Sequence, residues 1–260
     1  MINYSFSVAN LEFFLLIVVR ISVFVFVAPF FSQKGIPNQV KLGFSVFMGI
    51  LLYNVIPDKS VPVYSTVWGY AILVMREALT GLVVGFSAVI CTSVVSFAGR
   101  IIDMETGLSM ANLIDPTTNT SESISGVLFQ YVVTLMLLIS GMYEYIIRAL
   151  AQTFELIPVG GAVFNGDRLL EAILDFLQEY MSIGFRICLP VFAVMLLLNA
   201  VLGIMTKVAP QVNMFAVGIQ MKVLIGLITL FLTAGMLPMV STMVFDSVKK
   251  AMTAFVGAMM

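Results

Sequence analysis

The chain has 260 residues, of which 60% are hydrophobic and 10% are charged, and its mean hydropathy is +1.07. A soluble domain is about half apolar and about a quarter charged, so this composition indicates one membrane-associated unit over residues 1–260. The net charge of −1 gives no reason to expect binding of nucleic acid or of acidic lipid. Because the chain has no histidine, it lacks the commonest metal ligand and general base, and we expect no cofactor.

Two apolar segments of different length begin the chain. Leu11 to Phe31 is long enough to cross about 30 Å of hydrocarbon as a helix, although it contains Glu12 and Arg20. Lys41 to Ile56 is shorter and is marginal as a span by itself. We therefore expect the second segment to form a hairpin, or a tilted helix that other protein covers.

The next two apolar segments are separated by the charged pair Arg76-Glu77. Val61 to Met75 precedes this pair, and Ala78 to Ala98 follows it without any charged residue. The second of these segments is the clearest spanning helix in the chain. Gly81 and Gly85 form a GxxxG pair within it, which allows the backbone of a neighbouring helix to approach closely.

Gly99 to Pro116 differs from the apolar segments on either side of it. It combines closely spaced small residues with charged residues that include Arg100, Asp103 and Glu105. A glycine-broken segment at membrane depth is tolerated only where protein covers it or where it lines a cavity. We therefore predict a functional loop over this stretch.

The C-terminal half contains three long apolar runs and one amphipathic segment. Ile124 to Ile147 is predicted as a helix, and the chain then breaks at Pro158-Val159-Gly160-Gly161. Asp167 to Tyr180 spaces its acids four residues apart, which predicts an amphipathic helix with a wet face. Met181 to Thr206 and Val223 to Phe245 are the last two long apolar runs.

The distribution of lysine and arginine gives no orientation in the membrane. If six spans are taken as the minimum, the alternate loops on one side carry five of these residues and those on the other side carry six. An excess on one side normally marks the cytoplasmic face. Either the number of spans differs from six, or the chain does not form an ordinary polytopic bundle.

Several ionisable residues lie within or beside the apolar segments. We expect Arg76, Glu77, Glu144 and Lys222 to mark helix ends and to reach a polar boundary. Arg20 and Arg186 lie deeper, so we expect each to pair with an acid or a carbonyl of another helix. Cys91 and Cys188 are expected to be buried thiols rather than a disulfide.

The sequence contains no pattern typical of an enzyme. It has no nucleophile and base pair, no metal-binding constellation and no glycine loop of the kind that holds phosphate. Ion-coupled transport normally requires acids or amides in the middle of facing helices, and the runs Ala78 to Ala98 and Val223 to Phe245 offer none.

Two blocks of residues carry a family resemblance. The first contains Arg76-Glu77, Gly81, Gly85, Ala98-Gly99-Arg100-Ile101-Ile102-Asp103-Met104-Glu105-Thr106-Gly107 and Asp115-Pro116. The second contains Gly203-Ile204-Met205-Thr206-Lys207-Val208-Ala209-Pro210-Gln211-Val212-Asn213-Met214-Phe215, Gly218 and Lys222. Both blocks resemble the signatures of the FliR family of flagellar export-gate proteins, which has counterparts in type III secretion injectisomes. The resemblance covers essentially the whole chain.

The resemblance implies an all-α fold and a role in protein export. Members of this family form membrane-associated, kinked helical hairpins that assemble with partner subunits into a helical pore ring. The implied partners are FliP-like and FliQ-like export-gate subunits, an FlhB-like subunit and the unfolded proteins that are exported. The implied location is the bacterial inner membrane, at the basal body of the flagellum.

The resemblance also assigns roles to particular residues. A loop in this family closes the pore, and the motif places this pore plug at Gly107, Leu108, Ser109, Met110, Ala111 and Asn112. Further residues are implied to pack helices together or to contact partner subunits. They are Arg76, Glu77, Gly81, Gly85, Asp103, Glu105, Asp115, Pro116, Pro210, Gln211, Asn213, Phe215 and Gly218.

The implied function is therefore a non-enzymatic subunit of the flagellar export gate. Two alternatives remain at this point. The chain is an injectisome export subunit in the first alternative and a stand-alone solute transporter in the second.

Overall fold

The structure is a computed structural model that describes residues 8–33, 35–57, 64, 66–110, 123–209, 211 and 213–260. All the regular secondary structure in these ranges is helical, which confirms the predicted all-α class. The chain divides into two compact units. The first contains Met1–Cys91, Gly141–Phe176 and Ser247–Met260, and the second contains Thr92–Ser140 and Leu177–Asp246.

The described residues form eight α-helices. Their bounds are α1 (Val8–Val27), α2 (Asn38–Val55), α3 (Val67–Thr106), α4 (Ile124–Ile139), α5 (Met142–Leu156), α6 (Gly166–Val208), α7 (Met214–Thr233) and α8 (Leu237–Gly257). A 3-10 turn, Ala234–Met236, connects α7 to α8.

Helix α3 is longer than the sequence analysis predicted. Its 40 residues continue through Arg76-Glu77 and through the first part of the stretch that was predicted as a loop. The prediction of a loop is therefore wrong for residues 99–106. The helix ends before Gly107, whose φ of 80° lies in the left-handed region that a glycine adopts easily at a helix C-terminus.

Two other predictions of helix boundaries are also wrong. The amphipathic segment Asp167 to Tyr180 and the apolar run Met181 to Thr206 form one 43-residue helix, α6, which contains Pro190. Conversely, the run Ile124 to Ile147 is divided between α4 and α5, which are bent by 67°. The bend lies at Gly141, whose φ is 76°.

Helices α1 and α2 pack together in the first unit. Gly49 of α2 lies against Val18 of α1, where an added Cβ would be 2.8 Å from Val18 Cγ2. The ring of Tyr53 lies 6.2 Å from that of Phe13 and 6.1 Å from that of Phe14, a separation typical of aromatic pairs. The second apolar segment therefore forms a hairpin with the first, which is one of the two arrangements that the sequence predicted.

Four helices are long and apolar enough to cross a membrane: Val8–Val27, Val67–Thr106, Gly166–Val208 and Ala216–Gly257. The bent pair α4 and α5 brings the number to five if it is counted as one span. The minimum of six spans is therefore too high for the described residues, because long helices replace pairs of predicted ones. These helices indicate a membrane location for the chain.

Candidate functional site

The centre of the first unit is an ion pair between α1 and α3. Arg20 Nε lies 2.6 Å from Glu77 Oε2, and Arg20 Nη2 donates to Glu77 Oε1 at 3.0 Å. Both side chains are fully buried. This bidentate geometry matches the planar guanidinium to the carboxylate, and it compensates for the removal of both charges from solvent.

The remaining hydrogen-bonding groups of this pair contact the end of α5. Arg20 Nη1 donates to the carbonyl oxygens of Thr153 at 3.2 Å and Ile157 at 3.1 Å. Thr153 lies in the last turn of α5 and Ile157 is its C-cap. The Thr153 carbonyl also accepts from the Ile157 N–H at 2.9 Å, so the guanidinium adds a second donor there. The ring of Phe154 lies 4.2 Å from Arg20 Cζ and adds a cation–π contact.

The acid of the pair also fixes the break in the chain after α5. The backbone N–H of Gly160 donates to Glu77 Oε1 at 2.6 Å, and Gly160 has a φ of 77°. The buried pair therefore connects α1, α3, α5 and the Pro158 to Gly161 break, all within the first unit. We name Arg20, Glu77 and Gly160, together with the carbonyls of Thr153 and Ile157, the ion-pair cluster.

The sequence predicted one member of this cluster correctly and misplaced another. Arg20 pairs with both an acid and carbonyls of other helices, as expected. The prediction that Glu77 marks a helix end is wrong, because Glu77 is fully buried within α3. The contact from Gly160 was missed because no local pattern indicates a partner 83 residues away.

Gly81 and Gly85 lie where α3 meets α1. A Cβ at Gly81 would overlap the backbone carbonyl of Arg20, and a Cβ at Gly85 would lie 3.1 Å from the carbonyl oxygen of Phe24. Glu77, Gly81 and Gly85 follow at four-residue spacing, so they share one face of α3. The same face therefore provides the acid of the ion pair and the close backbone approach, while Arg76 is exposed.

A second buried acid connects α3 to α4 within the second unit. Asp103 is 3% exposed and accepts a hydrogen bond from Ser123 Oγ at 2.7 Å and from the backbone N–H of Ser125 at 3.3 Å. Ser123 Oγ also accepts from the N–H of Gly126 at 2.9 Å, which caps the start of α4. A Cβ at Gly99 would overlap the backbone of Gly126, so α3 and α4 cross in close contact.

The described part of the predicted plug follows directly after α3. Gly107, Leu108 and Ser109 are half-buried, and Met110 is 46% exposed. The backbone N–H of Met110 donates to the carbonyl of Gly107 at 3.0 Å. The other predicted residues of this region, Ala111, Asn112, Asp115 and Pro116, lie outside the described residues. Glu105, two residues before this segment, is half-buried.

The second predicted block surrounds the connection from α6 to α7. The side chain of Asn213 caps α7 by accepting from the N–H of Ala216 at 3.4 Å. Gly218 is buried, and a Cβ there would lie 3.7 Å from Leu202 Cδ1. Gln211 is exposed, whereas Pro210 and the side chain of Phe215 lie outside the described part of the chain.

The other predicted ionisable residues occupy different surroundings. Glu144 and Arg148 are exposed on α5, with 3.7 Å between their charged atoms. Arg186 is exposed, and its side chain has no ion pair or hydrogen bond with any described residue, so the prediction of a buried pair for it is wrong. The residue lines a largely apolar cavity in which no other described lining residue is charged. Cys91 and Cys188 are buried thiols that are not joined in a disulfide, as predicted.

The sequence matches the family described as "Bacterial export proteins, family 1" over residues 11–248. It is 31% identical to flagellar biosynthetic protein FliR of Aquifex aeolicus (strain VF5) over 241 residues, which cover 91% of each chain. It is 29% identical to FliR of Bacillus subtilis (strain 168) over 235 residues, 90% of each chain. FliR of Escherichia coli (strain K12) is 27% identical over 234 residues, 89% of this chain and 86% of the relative.

The matched residues include the ion-pair cluster, the close helix contacts at Gly81, Gly85 and Gly99, and the segment after α3. The chain therefore belongs to the bacterial export proteins, family 1, and is similar to flagellar biosynthetic protein FliR over about 90% of its length.

Proposed function

We propose that this chain is a non-enzymatic subunit of the flagellar type III export gate and forms part of its protein-conducting pore. The observation that carries the proposal is the match to FliR proteins over about 90% of both chains. The flagellar names of these relatives favour a flagellar system over an injectisome. On this proposal the chain lies in the bacterial inner membrane at the flagellar basal body.

The apolar surface of the chain supports assembly with other membrane subunits. In the most apolar 18-residue stretch of α3, 56% of the residues are buried. The buried share of the corresponding stretch is only 28% in α6 and 22% in Ala216–Gly257. The proposed partners are FliP-like and FliQ-like subunits together with an FlhB-like subunit. They would cover part of this exposed surface, and unfolded flagellar proteins would pass through the assembled pore.

The length of α3 supports an arrangement in which the helices do not all cross the bilayer as they would in a simple bundle. The 40 residues of α3 extend over about 60 Å, about twice the thickness of the hydrocarbon core. A helix of this length either tilts strongly or extends beyond the bilayer. This agrees with hairpins that are partly lifted out of the membrane plane within a ring of subunits.

The segment from Gly107 to Asn112 is proposed as the plug of the closed pore. Two features of the described residues support this role. The segment begins directly after the Asp103 and Ser123 contact, which holds the end of α3 to the start of α4. Met110 presents an apolar, flexible side chain that is 46% exposed, and methionine adapts well to irregular gaps.

Purification from the bacterium that encodes the chain tests the proposal. A tagged full-length chain extracted in mild detergent is expected to bring FliP-like and FliQ-like subunits with it, as identified by mass spectrometry. A monodisperse chain that transports a small solute without partners would instead support the transporter alternative.

A further inference from the structure

A cavity of about 260 Å³ lies within the second unit. It is lined by residues of α4, α6 and α8, and by the end of α7 with the 3-10 turn that follows it. The wall is apolar apart from Arg186 and Thr233. The apolar lining includes Phe129, Ile187, Met236, Leu237, Val240 and Met243.

Arg186 provides the only charge among the described lining residues, and this charge is not balanced. Its side chain is exposed and has no ion pair or hydrogen bond within the described ranges. A guanidinium in an apolar membrane segment is costly unless an anion or water reaches it. An occupant with one anionic group and an apolar body would match both the charge of Arg186 and the apolar wall.

The position of Arg186 along its helix indicates the depth of the site. Glu179, the last acid of the wet face of α6, precedes it by seven residues, which is about 10 Å along a helix. On α8, Asp246 follows the lining residue Met243 by three residues, or about 5 Å. On each of these two helices, an acidic residue therefore lies within about 10 Å of a residue that lines the cavity. The interfacial layer of a bilayer is about 5–8 Å thick on each side, so Arg186 lies near the boundary between headgroups and acyl chains.

We propose that this cavity binds one anionic phospholipid, with its phosphate on Arg186 and an acyl chain against the apolar wall. The planar guanidinium donates two parallel hydrogen bonds to phosphate oxygens. A free phosphate would leave the apolar wall uncovered, whereas a phospholipid covers the wall and the charge together. The chain's net charge of −1 does not oppose this site, because recognition depends on a single local arginine.

A lipid competition experiment tests this proposal on the purified full-length chain. The chain in detergent is mixed with equal amounts of phosphatidylglycerol and phosphatidylcholine, and the bound lipids are counted by native mass spectrometry. We expect wild type to prefer phosphatidylglycerol about fivefold, the effect of one cationic side chain near an anionic headgroup. Arg186→Gln should remove the preference, and Arg186→Lys should retain part of it, because lysine keeps the charge but not the two parallel hydrogen bonds.

Arg76→Gln is the matched control, because Arg76 is an exposed arginine on an apolar helix but does not line the cavity. Circular dichroism and elution volume must be unchanged in each variant, so that a loss of binding reports on the site and not on folding. The proposal is wrong if wild type has no preference, if Arg186→Gln keeps it, or if millimolar inorganic phosphate displaces the lipid. Loss of partner subunits in Arg186→Gln with unchanged lipid preference would also contradict it and would assign Arg186 to a partner's acid. None of these outcomes depends on whether the chain exports proteins.

Discussion

Arg20 on α1 and Glu77 on α3 form a bidentate ion pair in which both side chains are fully buried. Among the described residues, their other hydrogen bonds go to backbone at the end of α5 or in the break that follows it. The pair is therefore a junction between three helices and a turn. Because the hydrogen-bonding groups of both side chains have partners, the pair favours one specific arrangement of these helices and the turn. Loss of either side chain leaves the other charge buried without a counter-charge.

Breaking this pair is expected to destabilise the chain strongly. Arg20→Met leaves the Glu77 carboxylate buried without its counter-charge, so the free energy of unfolding should fall by about 3–5 kcal/mol. Denaturant unfolding in mild detergent, followed by circular dichroism, measures this change. Arg76→Gln, at the exposed position next to Glu77, should change the value by less than about 0.5 kcal/mol.

The double variant Arg20→Met, Glu77→Leu distinguishes the interaction between the two side chains from the contribution of each side chain alone. Because neither charge is then left unpaired, its loss of stability should be smaller than the sum of the two single losses. Strict additivity would mean that the two side chains are not coupled.

The glycines at the contact of α3 with α1 should respond to substitution in a graded way. Gly81→Ala places a Cβ into the carbonyl of Arg20 and should cost about 1–3 kcal/mol, whereas Gly85→Ala should cost less because its Cβ would lie 3.1 Å from the nearest atom. Gly43→Ala is the control, since an added Cβ on this α2 residue meets nothing within 4 Å. It should be neutral or stabilising by up to about 1 kcal/mol. Equal effects at all three positions would argue against close packing of the two helices.

The contact between Asp103 and Ser123 should appear as a coupling energy. Asp103→Ala and Ser123→Ala each remove a charge-assisted hydrogen bond and should cost about 1.5–3 kcal/mol. The double variant should cost clearly less than the sum, and a double-mutant cycle of unfolding measurements provides this value. Glu105→Gln, two residues further along α3 and half-buried, should leave stability nearly unchanged. A coupling energy of zero would contradict the contact.

The proposed plug predicts a leak of small ions. Replacing Leu108, Ser109 and Met110 by glycine should raise the ion conductance of the membrane without preventing assembly, because the side chains that fill the closed pore are removed. A membrane-potential dye in cells that express the variant measures the leak. Met104→Ala removes another exposed methionine, 72% exposed on α3, and should not leak. Unchanged conductance in the triple variant would exclude this segment as the plug.

The long apolar helices and the deep pairing of Arg20 could be predicted from the residues, because apolar runs of this length cross a membrane as helices and a buried charge is costly. The all-α class was implied by the family resemblance. The burial and pairing of Glu77 could not be predicted, because its partners lie 57 and 83 residues away and no local pattern links them. Helix α3 continues past Gly99, where only a glycine leaves room for the backbone of Gly126. The role of Gly99 as a helix contact depends on a residue 27 positions away, which local residue types do not indicate.

Export of flagellar proteins in the bacterium that encodes this chain tests the central claim most directly. The gene is deleted, and the hook and filament proteins in the culture medium are quantified by immunoblot. We predict that export is abolished and that the wild-type chain and Gly43→Ala restore it, with restoration by Arg20→Met reduced in proportion to its lower stability. Normal export of hook and filament proteins by the deletion strain would contradict the account.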